Sequence, residues 1–193
     1  MRSYFKYRWA GCKENNGNEI RQIKKNTHTL KNNLLWAMLI AIGFMFMGCP
    51  YHSSVSIDNP TVKIESRLLG KWQKRTSDDE TYIITQKDDY NYDILEKEKN
   101  PQEGSKPKKY CAFLSVVNGI KFLNLYDPDD DAKTYYFYKL ELGDGIEGFS
   151  LSPVTEYATE TFTRSDSLKN FIQANSGLSF FYETKEEYIK VGK

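Results

Sequence analysis

Histidine is nearly absent from this chain of 193 residues: only His28 and His52 occur, both in the first third. A domain folded from the residues beyond His52 has no imidazole, which excludes a Ser-His-Asp or Cys-His mechanism and a histidine metal site. Cysteine is almost as sparse, at Cys12, Cys49 and Cys111, too few for a disulfide framework. Cys111, in Tyr110-Cys111-Ala112-Phe113-Leu114, reads as a small buried hydrophobe inside a strand rather than a reactive thiol. Long apolar runs are missing too. The longest, Leu34 to Met47, holds fourteen uncharged residues, short of the roughly 20 that a spanning helix needs. No glycine-rich, phosphate-cradling loop joins a strand to a helix. Neither a metal site nor a cofactor is expected.

Net charge is nearly absent as well, with 27 Lys+Arg against 26 Asp+Glu, but the balance hides an asymmetry. Residues 1–49 carry eight bases and two acids, and residues 50–193 carry 19 bases and 24 acids. A body at −5, with no basic cluster stronger than Lys106, Lys108 and Lys109, lacks what phosphate neutralisation requires. Nucleic acid is not an expected partner.

The features that are present begin with an address. Leu34 to Met47 has the length of a secretory h-region, about 7–15 residues, and Lys24, Lys25 and Lys31 precede it. Its end, Phe46-Met47-Gly48-Cys49, resembles the lipobox of bacterial lipoproteins, in which a small residue precedes a cysteine. The resemblance implies that Cys49 accepts a diacylglyceryl group and becomes the mature N-terminus, anchoring the protein to a membrane. The match departs from the usual pattern at Phe46, where Leu is commoner, and at Met47, where a small residue is usual. An uncleaved short anchor and plain secretion are the alternatives. Residues 1–48 are thus read as a signal peptide. Its n-region is over-long, polar and Asn-rich (Asn15, Asn16, Asn18, Asn26), and a mis-assigned start accounts for it most simply. Residues 49–66, rich in Ser, Asn and Pro, read as a lipidated tether, and residues 67–193 as one domain.

In that domain the dominant period is two. Tyr90, Tyr92 and Ile94 alternate with Asn91 and Asp93, and Tyr136, Tyr138, Leu140 and Leu142 with Tyr135, Phe137, Lys139 and Glu141, as half-buried strands require. Val117-Asn118-Gly119-Ile120 is a hairpin signal, because Asn and Gly tolerate the positive φ of a type I′ turn. Strands are expected near 68–76, 80–87, 90–97, 109–117, 120–126, 133–142, 148–154, 178–183 and 187–191. One segment breaks the pattern. Ser165-Asp166-Ser167 offers N-caps, Leu168, Phe171 and Ile172 recur at helical spacing, and Gly177 suits the left-handed residue beyond a helix end. The fold class is therefore mainly β, an antiparallel up-and-down meander or barrel with one short helix before the last strands.

Leu69-Gly70-Lys71-Trp72, opening the first strand, is similar to the G-x-W motif of lipocalin-like barrels. The resemblance implies that Trp72 plugs one end of a barrel and that Gly70 lets the backbone turn beneath it. Two features of that family are missing: no Thr-Asp pair marks a second motif, and no Arg stands near the last strand to stack on Trp72. The nearest resemblance is to lipocalin-like envelope lipoproteins of Gram-negative bacteria.

Carboxylates are the remaining chemistry. Asp127-Pro128-Asp129-Asp130-Asp131 starts like a calcium loop but continues with Lys133 and no Gly at the sharp turn, and has Tyr138 where a bidentate Glu belongs, so it reads as a solvated loop. Asp144 and Glu147, in a Gly-rich hairpin, pose as a glycosidase pair without a rigid support. Twelve Tyr, eight Phe and one Trp after residue 49 suit core packing or the lining of a pocket. The expectation is a non-enzymatic envelope lipoprotein, at the outer membrane, whose barrel binds a small apolar ligand or an envelope protein. The alternative is an accessory envelope hydrolase or carbohydrate-active protein with paired carboxylates.

Overall fold

Successive side chains of a strand point to opposite sides, so a two-residue apolar period gives each strand an inner and an outer face. In the computed structural model, which describes residues 50–143, 148–155 and 160–192, that pattern closes into a barrel. The elements are β1 (His52–Ser53), β2 (Gly70–Lys74), β3 (Ser77–Gln86), β4 (Asn91–Glu98), β5 (Lys108–Val117), β6 (Ile120–Tyr126), β7 (Tyr135–Leu142), β8 (Gly148–Pro153), α1 (Ser165–Asn175) and β9 (Glu186–Lys190). From β2 to β8 each strand pairs antiparallel with the next, and β9 joins β8 to β2. Eight strands thus close on themselves and leave no free edge. The short β1 adds to β7 beside its first residues, pairing His52 with Tyr136 and Ser53 with Tyr135. Mainly β, up-and-down and carrying one helix before the final strand, the architecture is the one expected from the alternation. The hairpin signal is realised too: Asn118 and Gly119 take φ of 52° and 77° between the paired Val117 and Ile120.

Both faces of the wall are buried. Inside lie Trp72, Ile84, Tyr92, Leu114, Leu123, Leu140 and Phe149. Outside, over β5, β6 and β7, a second cluster gathers Tyr51, Ile57, Phe122, Phe137, Leu168, Ile172 and Phe181. Helix α1 supplies Leu168 and Ile172, four residues apart and so on one face. Phe171, between them in the pattern, packs on Phe162 and Phe181.

Three local expectations are corrected. Residues 178–183 do not form a strand: Ser179–Phe181 is a 3-10 turn, and only Tyr182 bridges, to Val154. The ladder position beside β8 belongs to β9, so the backbone of this segment meets the sheet at the end of β8, where the Glu183 N–H donates to the Pro153 carbonyl at 2.9 Å. Phe181 anchors it in the outer cluster, while Leu178 and Phe180 stay exposed. The helix starts after Arg164 without a side-chain cap and closes on the Ser176 N–H, which donates to the Ile172 carbonyl. Gly177 is accordingly not among the positive-φ residues.

The third correction concerns the expected tether and the boundary at residue 67. The residues just after Pro50 belong to the same compact unit as the barrel. Ile57 is fully buried and Tyr51 nearly so. The Tyr51 N–H donates to the Val154 carbonyl at 2.8 Å. Asn124, itself buried, accepts the Ile57 N–H at 3.0 Å and donates to Ser115 Oγ at 3.0 Å. A polar, breaker-rich segment is thus held by two apolar anchors and one amide. Residues 1–49, Cys49 among them, lie outside the described residues.

Candidate functional site

One end of the barrel is plugged. Trp72 on β2 is 1% exposed, its indole Nε1 donates to the Leu68 carbonyl at 2.8 Å, and its ring meets Phe149 edge-on at 4.8 Å. Gly70 has φ of 138°, a conformation that L side chains rarely adopt. A Cβ there would come within 2.8 Å of Lys190 Cε. The missing side chain leaves room for Lys190, on β9, to lay its ammonium 5.4 Å from the centre of the Trp72 ring. No arginine stands there, and a lysine supplies the cation over the indole face. Its position in the last strand was readable in the sequence, but a reading that looks only for Arg misses it. Residues just upstream of β2 complete the plug: Val62, Ile64 and Leu68 pack against the inner core, and the Tyr92 hydroxyl receives the Glu65 N–H. Burial pushes the Tyr92 phenol up to about 12, so it stays neutral there.

Above the plug the barrel is hollow. The cavity measures about 480 Å³, inside the roughly 300–1,000 Å³ span of small-molecule sites. Its wall is made by inward positions of successive strands, among them Tyr92, Ile94, Leu123, Leu125, Tyr138 and Leu140. Tyr138 is raised well above the ordinary phenol range, first by burial. The wall therefore presents neutral, largely apolar surface. Strand alternation alone places these side chains inside. Whether they meet in the middle depends on barrel geometry, which one strand's pattern does not encode.

The other end carries charge. Lys74 Nζ lies 3.1 Å from Glu186 Oε1 and 4.0 Å from Glu80 Oε2. Each carboxylate also takes a phenol: Tyr188 donates to Glu186 at 2.9 Å, and Tyr82 donates to Glu80. Both phenols are raised, in each case first by burial. Glu96, largely buried, pairs with the exposed Lys108 at 2.9 Å. Asp127, Asp130 and Thr134, from the loop between β6 and β7, line the same end. So does Pro50, where the described chain begins.

The remaining sequence candidates lie away from the cavity or serve as structure. Asp127 Oδ1 accepts the Asp129 N–H, and Asp130 accepts those of Ala132 and Thr134. The bond from Thr134 leads in holding the Asp130 carboxyl below its usual range. These carboxylates shape a turn that carries Lys133 at φ 48°, and among the described residues no three metal-ligating side chains gather. Cys111 is buried on the outer side of β5, donating to Asp93 Oδ1 at 3.4 Å and accepting from Lys87 Nζ at 3.2 Å. Asp144, Glu147 and Cys49 lie outside the described residues. No family model, curated protein or solved structure matches the chain.

Proposed function

We propose that the protein is a non-enzymatic, lipid-anchored protein of the cell envelope, at the outer membrane, whose lipocalin-like barrel binds a small apolar ligand. The observation that carries this reading is the cavity: about 480 Å³, walled by Leu, Ile and Tyr, plugged at the Trp72 end and polar at the other. Filling such a space with an apolar body removes water from a wall that solvates it poorly, at roughly 25 cal/mol per Å² of apolar surface covered. The anchor is supported by the export pattern and by Cys49 in its lipobox-like setting. Cys49 directly precedes Pro50, and Pro50 lines the polar end of the cavity. An acylated Cys49 would therefore hold that end close to the bilayer surface, where apolar molecules collect.

Two measurements test the reading. Expressed in a Gram-negative host, the full chain should take up labelled fatty acid and partition with membranes, and Cys49→Ser should do neither. A 50–193 fragment should bind the neutral fluorophore N-phenyl-1-naphthylamine one to one, and Leu125→Trp should abolish that binding by filling the cavity. Equal labelling of both chains sinks the anchor, and absence of fluorophore binding sinks the carrier.

A second reading, an envelope hydrolase with paired carboxylates, draws support from Glu80 and Glu186, which both approach Lys74 at the polar end. Each already pairs with Lys74 and accepts a phenol, which suits fixed electrostatics better than proton transfer. Glycan hydrolysis by the purified chain that Glu186→Gln abolishes would establish it.

A further inference from the structure

We propose that the preferred ligand is a single-chain amphiphile with a cationic head, its tail in the barrel and its head at the acidic end. This rests on the reading of the barrel as a ligand carrier and adds the polarity of what it carries.

The charges that line the cavity set that polarity. Among the described lining residues the acids are Glu96, Asp127, Asp130 and Glu186, and the one base is Lys74. Lys74 is already engaged by Glu186 and Glu80. A carboxylate head would have to displace one of those two glutamates to reach the ammonium, and would meet the others as like charges. An ammonium head meets the opposite field. It finds the carboxylates of Glu96, Asp127, Asp130 and Glu186 at one end of the barrel, and the aromatic rings of Tyr82, Tyr110 and Tyr136, which also line the cavity. Glu96 contributes most to the contrast, because its side chain is 10% exposed and its single lysine partner, Lys108, is 57% exposed and readily screened. Asp130 keeps its charge because loop N–H groups stabilise the carboxylate. The tail has the other end of the cavity, where Ile84, Leu123 and Leu140 bring no charge at all.

The sorting of charge along the axis is what distinguishes this from a generic greasy pocket. All the ionised lining residues come from the strand ends and loop at one end, and Trp72, Leu68 and Val62 close the other with apolar surface. A ligand charged at both ends, or one without a tail, matches only half of that pattern.

Native mass spectrometry of the full chain, offered equimolar dodecylamine, dodecanoate and dodecanol at pH 7, tests the proposal. The dodecylamine complex should exceed the dodecanoate complex at least tenfold, with dodecanol between them. In Glu96→Gln/Glu186→Gln the ratio should fall several-fold while dodecanol binding persists, which also shows that the variant folds. Leu125→Trp should remove all three complexes, placing the tail inside the barrel. Dodecanol bound without preference for the amine over the carboxylate overturns the proposal and leaves the carrier reading standing. Amine binding that survives Leu125→Trp overturns it as surface ion pairing. Failure of all three to bind the wild-type chain overturns the carrier reading along with it.

Discussion

The inner and outer faces of β5, β6 and β7 bury side chains from the same short stretches of sequence, yet one encloses empty space and the other does not. Outside, Phe122, Phe137, Ile57, Leu168 and Ile172 are essentially inaccessible, and Asn124 accepts the buried Ile57 N–H of the covering segment. Inside, Leu125 and Tyr138 remain only half-buried around the cavity. The outer face gains its stability from close packing, where a lost methylene leaves a hole. The inner face gives up part of that stability and keeps a space. Close packing and open space lie on opposite sides of one sheet.

The contrast is broken most severely by removing the cover. A 62–193 fragment lacks Tyr51, Ile57 and the N–H that Asn124 accepts, whereas 50–193 keeps all three. Two buried side chains at roughly 1.5–3 kcal/mol each bring the loss to about 3–6 kcal/mol. That is comparable with the whole stability of a small domain, about 5–15 kcal/mol. Urea titration of the two fragments should show the shorter one largely unfolded in water, and equal midpoints would mean that the segment is a mere tether.

Next comes Trp72→Ala, at about 3–5 kcal/mol for a buried aromatic. Although Trp72 belongs to the inner face, it sits at the plugged end, where Phe149, Leu68 and Lys190 close on it. Its loss should resemble an outer-face mutation. A melting temperature within two degrees of wild type would place it instead with the cavity wall. Asn124→Leu ranks below it, at roughly 1–3 kcal/mol, because it leaves the Ile57 N–H without its acceptor. Hydrogen exchange at Ile57 should rise with that substitution and stay unchanged in cavity variants.

Enlarging a side chain separates the faces in the opposite sense. Leu125→Trp grows into open space and should shift stability by less than about 1.5 kcal/mol while abolishing ligand uptake. Ile172→Trp grows into a filled cluster and should cost about 1–3 kcal/mol while leaving uptake intact. Similar costs at the two sites would mean that the cavity is filled in solution.

The legible part of the molecule is the part that a strand pattern encodes. Alternation placed Tyr92, Tyr138 and Leu140 on an inner face, and Asn118-Gly119 set a register, because both are local. The barrel follows from those strands, and helix α1 from the spacing of Leu168, Phe171 and Ile172. The hollow did not, since it is a property of eight strands together. The cover was illegible for a different reason. A few separated apolar residues, Tyr51 and Ile57 foremost, hold a run rich in Ser and Pro, and composition outweighs such scattered anchors. Lys190 was missed because cation–π contact was sought from one residue type. The strand expected at 178–183 failed because propensity cannot say which segment takes the last place in a ladder.

The smallest effect tests where the cover is tied to the plug. Glu65 stands between the covering segment and β2, with its carboxylate on Arg67 at 3.1 Å and on Lys121, of β6, at 3.0 Å. The hydrogen bond from Arg67 leads, and that from Lys121 comes second, in holding its carboxyl below the ordinary glutamate range. A carboxyl lowered in the folded state contributes stability that is fully present above its unfolded value, and that stability is lost as pH falls through the folded value. Both bases are partly exposed, 46% for Arg67 and 37% for Lys121, so screening keeps the contribution under about 1 kcal/mol. Thermal melts of the 50–193 fragment and its Glu65→Gln variant should differ by about 3 °C or less at pH 7. The two curves should converge as pH drops below 4.5, the ordinary value for this group, and added salt should narrow the gap at pH 7. A gap that is constant from neutral to strongly acidic pH would assign the Glu65 effect to packing rather than to its charge.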